Sequence, residues 1–173
     1  MKLILPSAEY AEEIRAYRQA FLDAGDSMDG AGPVRRTEDP LEWLKICEAY
    51  RHPETVPEGM VQATQFIYVR ESDQRLVGML QVRHYFNEYL EKYAGHIGYS
   101  VRPDERRKGY ATAMLRQVLP FCRKIGLDRV LISCLVENEG SRRTILANGG
   151  VYESTVHLPD KNVDLQRYWI TTG

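Results

Sequence analysis

The residues best suited by type and spacing to do chemistry are Arg106-Arg107-Lys108-Gly109-Tyr110-Ala111-Thr112, a basic loop with one glycine. Tyr99-Ser100-Val101-Arg102-Pro103 precedes it. After it, Ala111, Met114, Leu115, Val118, Leu119 and Cys122 keep the i, i+3, i+4, i+7, i+8, i+11 spacing of one helical face. The loop therefore feeds a helix N-terminus. There the unpaired backbone N–H groups and the positive end of the helix dipole favour an anion, and a glycine lets a phosphate approach the backbone. Basic side chains oppose the dipole at that end, so a bound anion explains them better than helix stability does.

The elements that must position this loop can be read in chain order. Lys2-Leu3-Ile4-Leu5 reads as a first strand, and Ser7 is placed to cap a helix carrying Ala11, Ile14, Arg18, Phe21 and Leu22 and ending near Gly25. Asp26 to Pro33 is a Gly- and Asp-rich loop, after which Thr37 or Asp39 starts a second helix through Leu41, Trp43, Leu44, Ile46 and Cys47. Gln62 to Arg70 and Arg75 to Phe86 read as an antiparallel hairpin turning at Ser72-Asp73-Gln74. A polar and aromatic connection, Asn87 to Tyr93, leads to the strand Gly95 to Val101. Beyond the long helix, closed by Gly126, Arg129 to Val136 is a nearly continuous apolar strand, covered on both faces. Strand, helix and strand make a crossover that places the two strands parallel. Asn138 to Ala147 forms another helix, and Val151 to His157 with Val163 to Thr171 forms a final antiparallel pair. The expectation is one α/β domain, residues 1–173, with a mixed sheet of about seven strands and about four helices.

Composition excludes several functions. The 173 residues carry 23 basic and 24 acidic side chains, a net charge of −1, which gives no general attraction to nucleic acid or to a membrane surface. The basic cluster is local and fits a small anionic ligand. Cys47, Cys122 and Cys134 have neither the spacing of a zinc site nor an even number for disulfides, so they read as reduced thiols and no metal is expected. The N-terminus is too charged for a signal peptide and no apolar run reaches the ~20 residues of a membrane span. A cytoplasmic protein, monomer or homodimer, is the expectation. Neither Gly-x-Gly-x-x-Gly nor Gly-Lys-Ser/Thr occurs, which removes the Rossmann and P-loop nucleotide binders.

These motifs resemble the GCN5-related N-acetyltransferases. The family signature of Gln or Arg, two residues, Gly, one residue, Gly or Ala is matched by Arg106-Arg107-Lys108-Gly109-Tyr110-Ala111. Asn138-Glu139-Gly140-Ser141 after the apolar strand, and the turn Asn148-Gly149-Gly150-Val151-Tyr152, are similar to the family's later landmarks. The resemblance implies a mostly antiparallel sheet with a central pair of parallel, splayed strands holding acetyl-CoA. Backbone N–H groups from Arg107 to Thr112 would hold the pyrophosphate, with Arg106, Arg107 and Lys108 adding charge around Gly109, Tyr110 and Ala111. Tyr99, Ser100 and Val101 would pair with the pantetheine arm and polarise the acetyl carbonyl, while Asn138 and Ser141 would meet the arm from the next helix.

The implied reaction is direct attack of a primary amine, on a small molecule or peptide, upon the thioester in a ternary complex. It gains from a base for the amine and an acid for the departing sulfur. In family members that acetylate protein N-termini, a glutamate and a tyrosine fill these roles, and the matching positions here are Ser133 and Ile145. The replacement bases are His96, whose ordinary pKa of about 6.5 suits proton transfer, and Glu88, Glu91 or Glu137; the acid is Tyr152, Tyr99 or Tyr110. Asp23, Asp26, Asp29, Glu38, Asp39 and Glu42 are available to draw a cationic amine, and Tyr85, Phe86, Tyr89 and Tyr93 to line its pocket. The departures at Ser133 and Ile145 also motivate a second reading, an acetyl-CoA-binding regulatory module without turnover.

Overall fold

The computed structural model describes residues 1–173. Seven strands and four α-helices follow in the order β1 (Lys2–Ile4), α1 (Ala11–Ala24), α2 (Pro40–Arg51), β2 (Ala63–Arg70), β3 (Arg75–Arg83), β4 (Ile97–Val101), α3 (Tyr110–Lys124), β5 (Arg129–Leu135), α4 (Glu139–Ala147), β6 (Val151–Leu158) and β7 (Val163–Thr171). A π-helical turn, Leu90–Ala94, leads into β4. Local chemistry sets most of the boundaries. Asp39 accepts a hydrogen bond from the Leu41 N–H at 2.9 Å and Pro40 supplies the first helical φ, so Asp39 rather than Thr37 caps α2. Asn138 caps α4 in the same way, accepting from the Ser141 N–H at 3.0 Å. Ser7 does not act as the expected side-chain cap: a short 3-10 turn, Ala8–Tyr10, intervenes before α1, and the Ser7 hydroxyl bonds to no backbone N–H.

The strands form two antiparallel sheets, ordered β1-β2-β3-β4 and β5-β7-β6, where one mixed sheet was expected. Alternation along β2 fixes the layers. Phe66 and Tyr68 face a core under α3 with Leu80, Met114, Leu115, Val118, Ile132 and Ile170. Ile67 and Val69 face the opposite core under α1 and α2, with Ile14, Tyr17, Phe21, Trp43 and Met79. With both faces covered, the first sheet is a rigid floor from which β4 projects.

Between the sheets, β4 and β5 meet at an isolated antiparallel bridge, Gly95 to Ile132, and form no ladder, so the expected parallel pair is not formed as a hydrogen-bonded pair. The cause is His96. Its backbone N–H donates to the Leu131 carbonyl at 2.7 Å, but its side-chain Nδ1 accepts the Leu131 N–H at 2.9 Å, taking the donor that a strand-to-strand bond would need. Gly95 allows this approach: at φ +70 it adopts a left-handed conformation, and a Cβ there would overlap the Leu131 carbonyl. The imidazole acts as a wedge, and beyond it the two strands are free to part.

Candidate active site

Past the wedge lies a cleft of about 860 Å³, walled by the later halves of β4 and β5, the loop before α3, the start of α4, the Asp26 to Gly30 loop, the π turn and the β6–β7 hairpin. At its basic end, Arg107 and Gly109 both have left-handed backbones, φ +63 and φ +80. For arginine that conformation costs on the order of 1–2 kcal/mol, and alternating turns of this kind make a concave nest of N–H groups. The first helical bond of α3 runs from the Ala113 N–H to the Gly109 carbonyl, so the N–H groups of Tyr110, Ala111 and Thr112 have no partner within the helix. No side chain caps them. A diphosphate fits this set of donors.

A buried carboxylate holds the loop in shape. Glu105, only 3% exposed, receives Arg70 at 2.8 Å, Lys108 at 2.7 Å and Arg75 at 3.3 Å. The Arg70 hydrogen bonds hold its pKa down to about 2, with Lys108 adding to the effect. Because the folded value lies below the ordinary carboxylate range of about 4.3, Glu105 contributes full stability above that pH and loses it as pH falls toward 2. Glu105→Ala is expected to cost about 1–3 kcal/mol near neutral pH, the worth of the charge-assisted bonds lost, since Arg70 keeps Asp73 and Arg75 keeps Asp104. Urea unfolding of both proteins checks this, and the difference should shrink in acid. Lys108 is spent on Glu105 and does not line the cleft, and Arg106 bonds to Asp26 at 2.8 Å and to the Val101 carbonyl at 3.1 Å.

The middle of the cleft is backbone. The Arg102 N–H donates to Val77 on β3 at 2.8 Å, which by strand alternation turns Ser100 toward β3 and Tyr99 and Val101 toward the open edge. Tyr17 fixes this register from α1, its hydroxyl 3.0 Å from the Ser100 carbonyl and 2.9 Å from the Ser100 hydroxyl. Across the gap, the Tyr99 hydroxyl lies 2.7 Å from the Ser141 hydroxyl at the start of α4. Burial raises the Tyr99 pKa, so the phenol holds its proton. Cys134 lies in the same wall, and burial raises its pKa too.

Of the sequence candidates, Tyr99, Ser100, Val101, Arg106, Arg107, Gly109, Tyr110, Ala111, Thr112, Asn138 and Ser141 all line this one cleft. His96, Glu88 and Tyr152 do not. His96 is 5% exposed, is stacked on Phe86 and is engaged with Leu131, and burial together with nearby Arg83 pushes its pKa down to about 4. Glu88 is an exposed residue outside the cleft, and Tyr152 is 52% exposed on β6, its hydroxyl on Thr155. Ser133 donates to the Tyr93 carbonyl, and Ile145 is buried in the core. Of the six acids considered for drawing an amine, Asp26 and Asp29 line the cleft; of the four aromatics, Tyr89 and Tyr93 do. Arg83, Ser27 and Gly30 were not singled out by sequence, because only the tertiary packing of the loop against Gly98 brings them there.

The cleft thus brings together a nest of N–H groups at one helix N-terminus, an unpaired strand edge and a second helix N-terminus facing Tyr99. A family model described as the acetyltransferase (GNAT) family matches residues 35–149, and the chain belongs to that family. Its class of reaction is acetyl-CoA-dependent N-acetyl transfer. No curated protein sequence matches the chain. Among solved structures, the ribosomal-protein-S5-alanine acetyltransferase from Vibrio fischeri is 18% identical, with TM-score 0.71 over 98% of this chain and 92% of that one. A spermidine N-acetyltransferase chimera from Vibrio cholerae and hSSAT is 14% identical, with TM-score 0.67 over 99% and 97%. The microcin C7 self-immunity acetyltransferase, in complex with acetyl-CoA and AMP, is 20% identical, with TM-score 0.70 over 98% and 91%. At these identities the likeness is one of fold.

Proposed function

We propose that the protein transfers an acetyl group from acetyl-CoA to a primary amine by direct attack within the cleft, and that it turns over rather than serving as a silent binding module. The observation that carries this reading is that the nest at Arg107 to Thr112, the open edge at Tyr99 and Val101, and the Tyr99 to Ser141 pair line one continuous cleft. Acetyl-CoA supplies the activated thioester. The nest holds its diphosphate, and an N–H of the Tyr99 to Val101 edge polarises the acetyl carbonyl as negative charge develops on oxygen. Tyr99 takes the part of proton donor to the departing sulfur, with Ser141 orienting its hydroxyl. Tyr110 is the weaker choice, since its own hydroxyl receives Arg70 at 3.1 Å.

On the acceptor side, Asp29 faces the cleft, its Oδ2 receiving the Ser27 hydroxyl at 3.1 Å. It draws the ammonium form, which gives its proton to solvent before the neutral amine attacks. His96 has the role of wedge, not base. In His96→Asn, whose side-chain oxygen can take the place of Nδ1, the pH dependence of kcat is expected to match the wild type; loss of its acidic limb would restore His96 as base. Calorimetric titration with acetyl-CoA, followed by thiol release against polyamines, amino acids and peptides, tests the whole reading. Binding with turnover supports it. Binding with no turnover on any acceptor favours the silent module.

A further inference from the structure

The acceptor end of the cleft contains a cation that the protein leaves unanswered. Arg83 closes β3, and its guanidinium crosses β4 at Gly98, where a Cβ would come within 3.3 Å of Nη2. Nη1 reaches the Ala94 and Gly95 carbonyls, both at 3.4 Å, the outer limit of a hydrogen bond. Nε and Nη2 donate to nothing, and no carboxylate lies within ion-pair distance. The other half-buried arginines have a carboxylate within reach or short carbonyl bonds, although Arg102 and Arg167 each keep a buried Nε without a hydrogen-bond partner. Arg51, Arg70, Arg75, Arg102, Arg142 and Arg167 each sit in an ion pair. Arg18 has no carboxylate, but makes three bonds of 2.9–3.1 Å to the Val34 and Arg35 carbonyls.

The unused donors open onto the cleft, where an anionic group of a ligand can take them. Burial lowers the Arg83 pKa, and Asp29 and Tyr89 are the groups that oppose this. Asp29 is held by Ser27 and does not close the distance to Arg83, so the two opposite charges stand apart at one end of the cleft. Tyr89 and Tyr93, with ring centroids 5.4 Å apart, wall this end. A fixed cation and a fixed anion, separated and both turned to the same space, match a ligand that carries both charges. The planar fork of arginine pairs best with a planar carboxylate.

Resting on the acetyl-transfer reading above, we propose that the acceptor is an amine bearing its own carboxylate, a free amino acid or a close analogue, with Arg83 binding the carboxylate and Asp29 the ammonium. A polyamine offers Arg83 only a like charge. A peptide N-terminus offers it a neutral amide where the carboxylate should be.

The test is thiol release from acetyl-CoA with the common amino acids, β-alanine and γ-aminobutyrate, each beside its amide and its decarboxylated amine, together with spermidine and a short peptide amide. At least one carboxylate-bearing amine should be turned over, with kcat/KM about tenfold to a hundredfold above its amide, the worth of a charge-assisted bond. In Arg83→Gln that preference should collapse toward unity through a rise in acceptor KM, while acetyl-CoA affinity, measured calorimetrically, stays as in the wild type. The inference is overturned if amides, polyamines or peptides match the acids, if no acid is turned over, or if Arg83→Gln keeps the preference. Should Arg83→Gln fail to fold, the wild-type comparison alone decides. Acetyl-CoA binding separates the two levels: if it is retained while the acids fail, only the acceptor class is wrong, and if it is absent, the acetyl-transfer reading fails as well.

Discussion

Gly109→Glu is expected to abolish acetyl-CoA binding while leaving the fold in place. Gly109 has a left-handed backbone at φ +80, and a Cβ built there meets no protein atom within 4 Å, so the core does not resist the substitution. The backbone strain costs on the order of 1–2 kcal/mol, a loss that a domain with two full cores should survive. What the substitution destroys is the site. It places a carboxylate beside the N–H groups of Tyr110 to Thr112, where it competes for the donors and repels the diphosphate. Calorimetry should show no acetyl-CoA binding by a variant whose circular dichroism matches the wild type and whose melting temperature is lower by about 2–8 °C. Unchanged affinity would remove the loop from the site.

Tyr99→Phe should have the largest effect on the chemical step, lowering kcat by about a hundredfold or more, the usual worth of a positioned proton donor. The ring remains to pack against the core under α3, and only the hydroxyl 2.7 Å from Ser141 is lost. Acetyl-CoA affinity should therefore change little. That split between kcat and binding distinguishes proton donation from a packing role, and a kcat within a few-fold of the wild type would pass the role to another group.

The parts of the site legible in the sequence are those built from neighbours along the chain. The helical spacing from Ala111 to Cys122, the glycine before it and the asparagine opening α4 are local signals, and each is where the sequence indicates. The parts that were not legible depend on register and long-range approach. Nothing in Gly95-His96-Ile97 reveals that the imidazole takes the Leu131 N–H, because that bond joins residues on different sheets, so a histidine with a serviceable pKa reads as a base. The same bond explains why the expected mixed sheet is two antiparallel ones. Tyr152 sits near the other motifs in sequence, yet strand alternation on β6 sends its hydroxyl to Thr155 on the surface. Arg83 ends a strand as many surface arginines do, and only the crossing at Gly98 shows that it points into the cleft.

One cleft, floored by the β4 edge and closed by two helix N-termini, is expected to hold acetyl-CoA. Backbone amide NMR of the folded protein, recorded while acetyl-CoA is added, reads this residue by residue. The expected result is saturable shifts concentrated at Tyr99 to Val101, Arg107 to Thr112 and Asn138 to Ser141, with Leu131 and His96 nearly still. Saturable binding that leaves Arg107 to Thr112 unmoved, or no binding at millimolar acetyl-CoA, would contradict it.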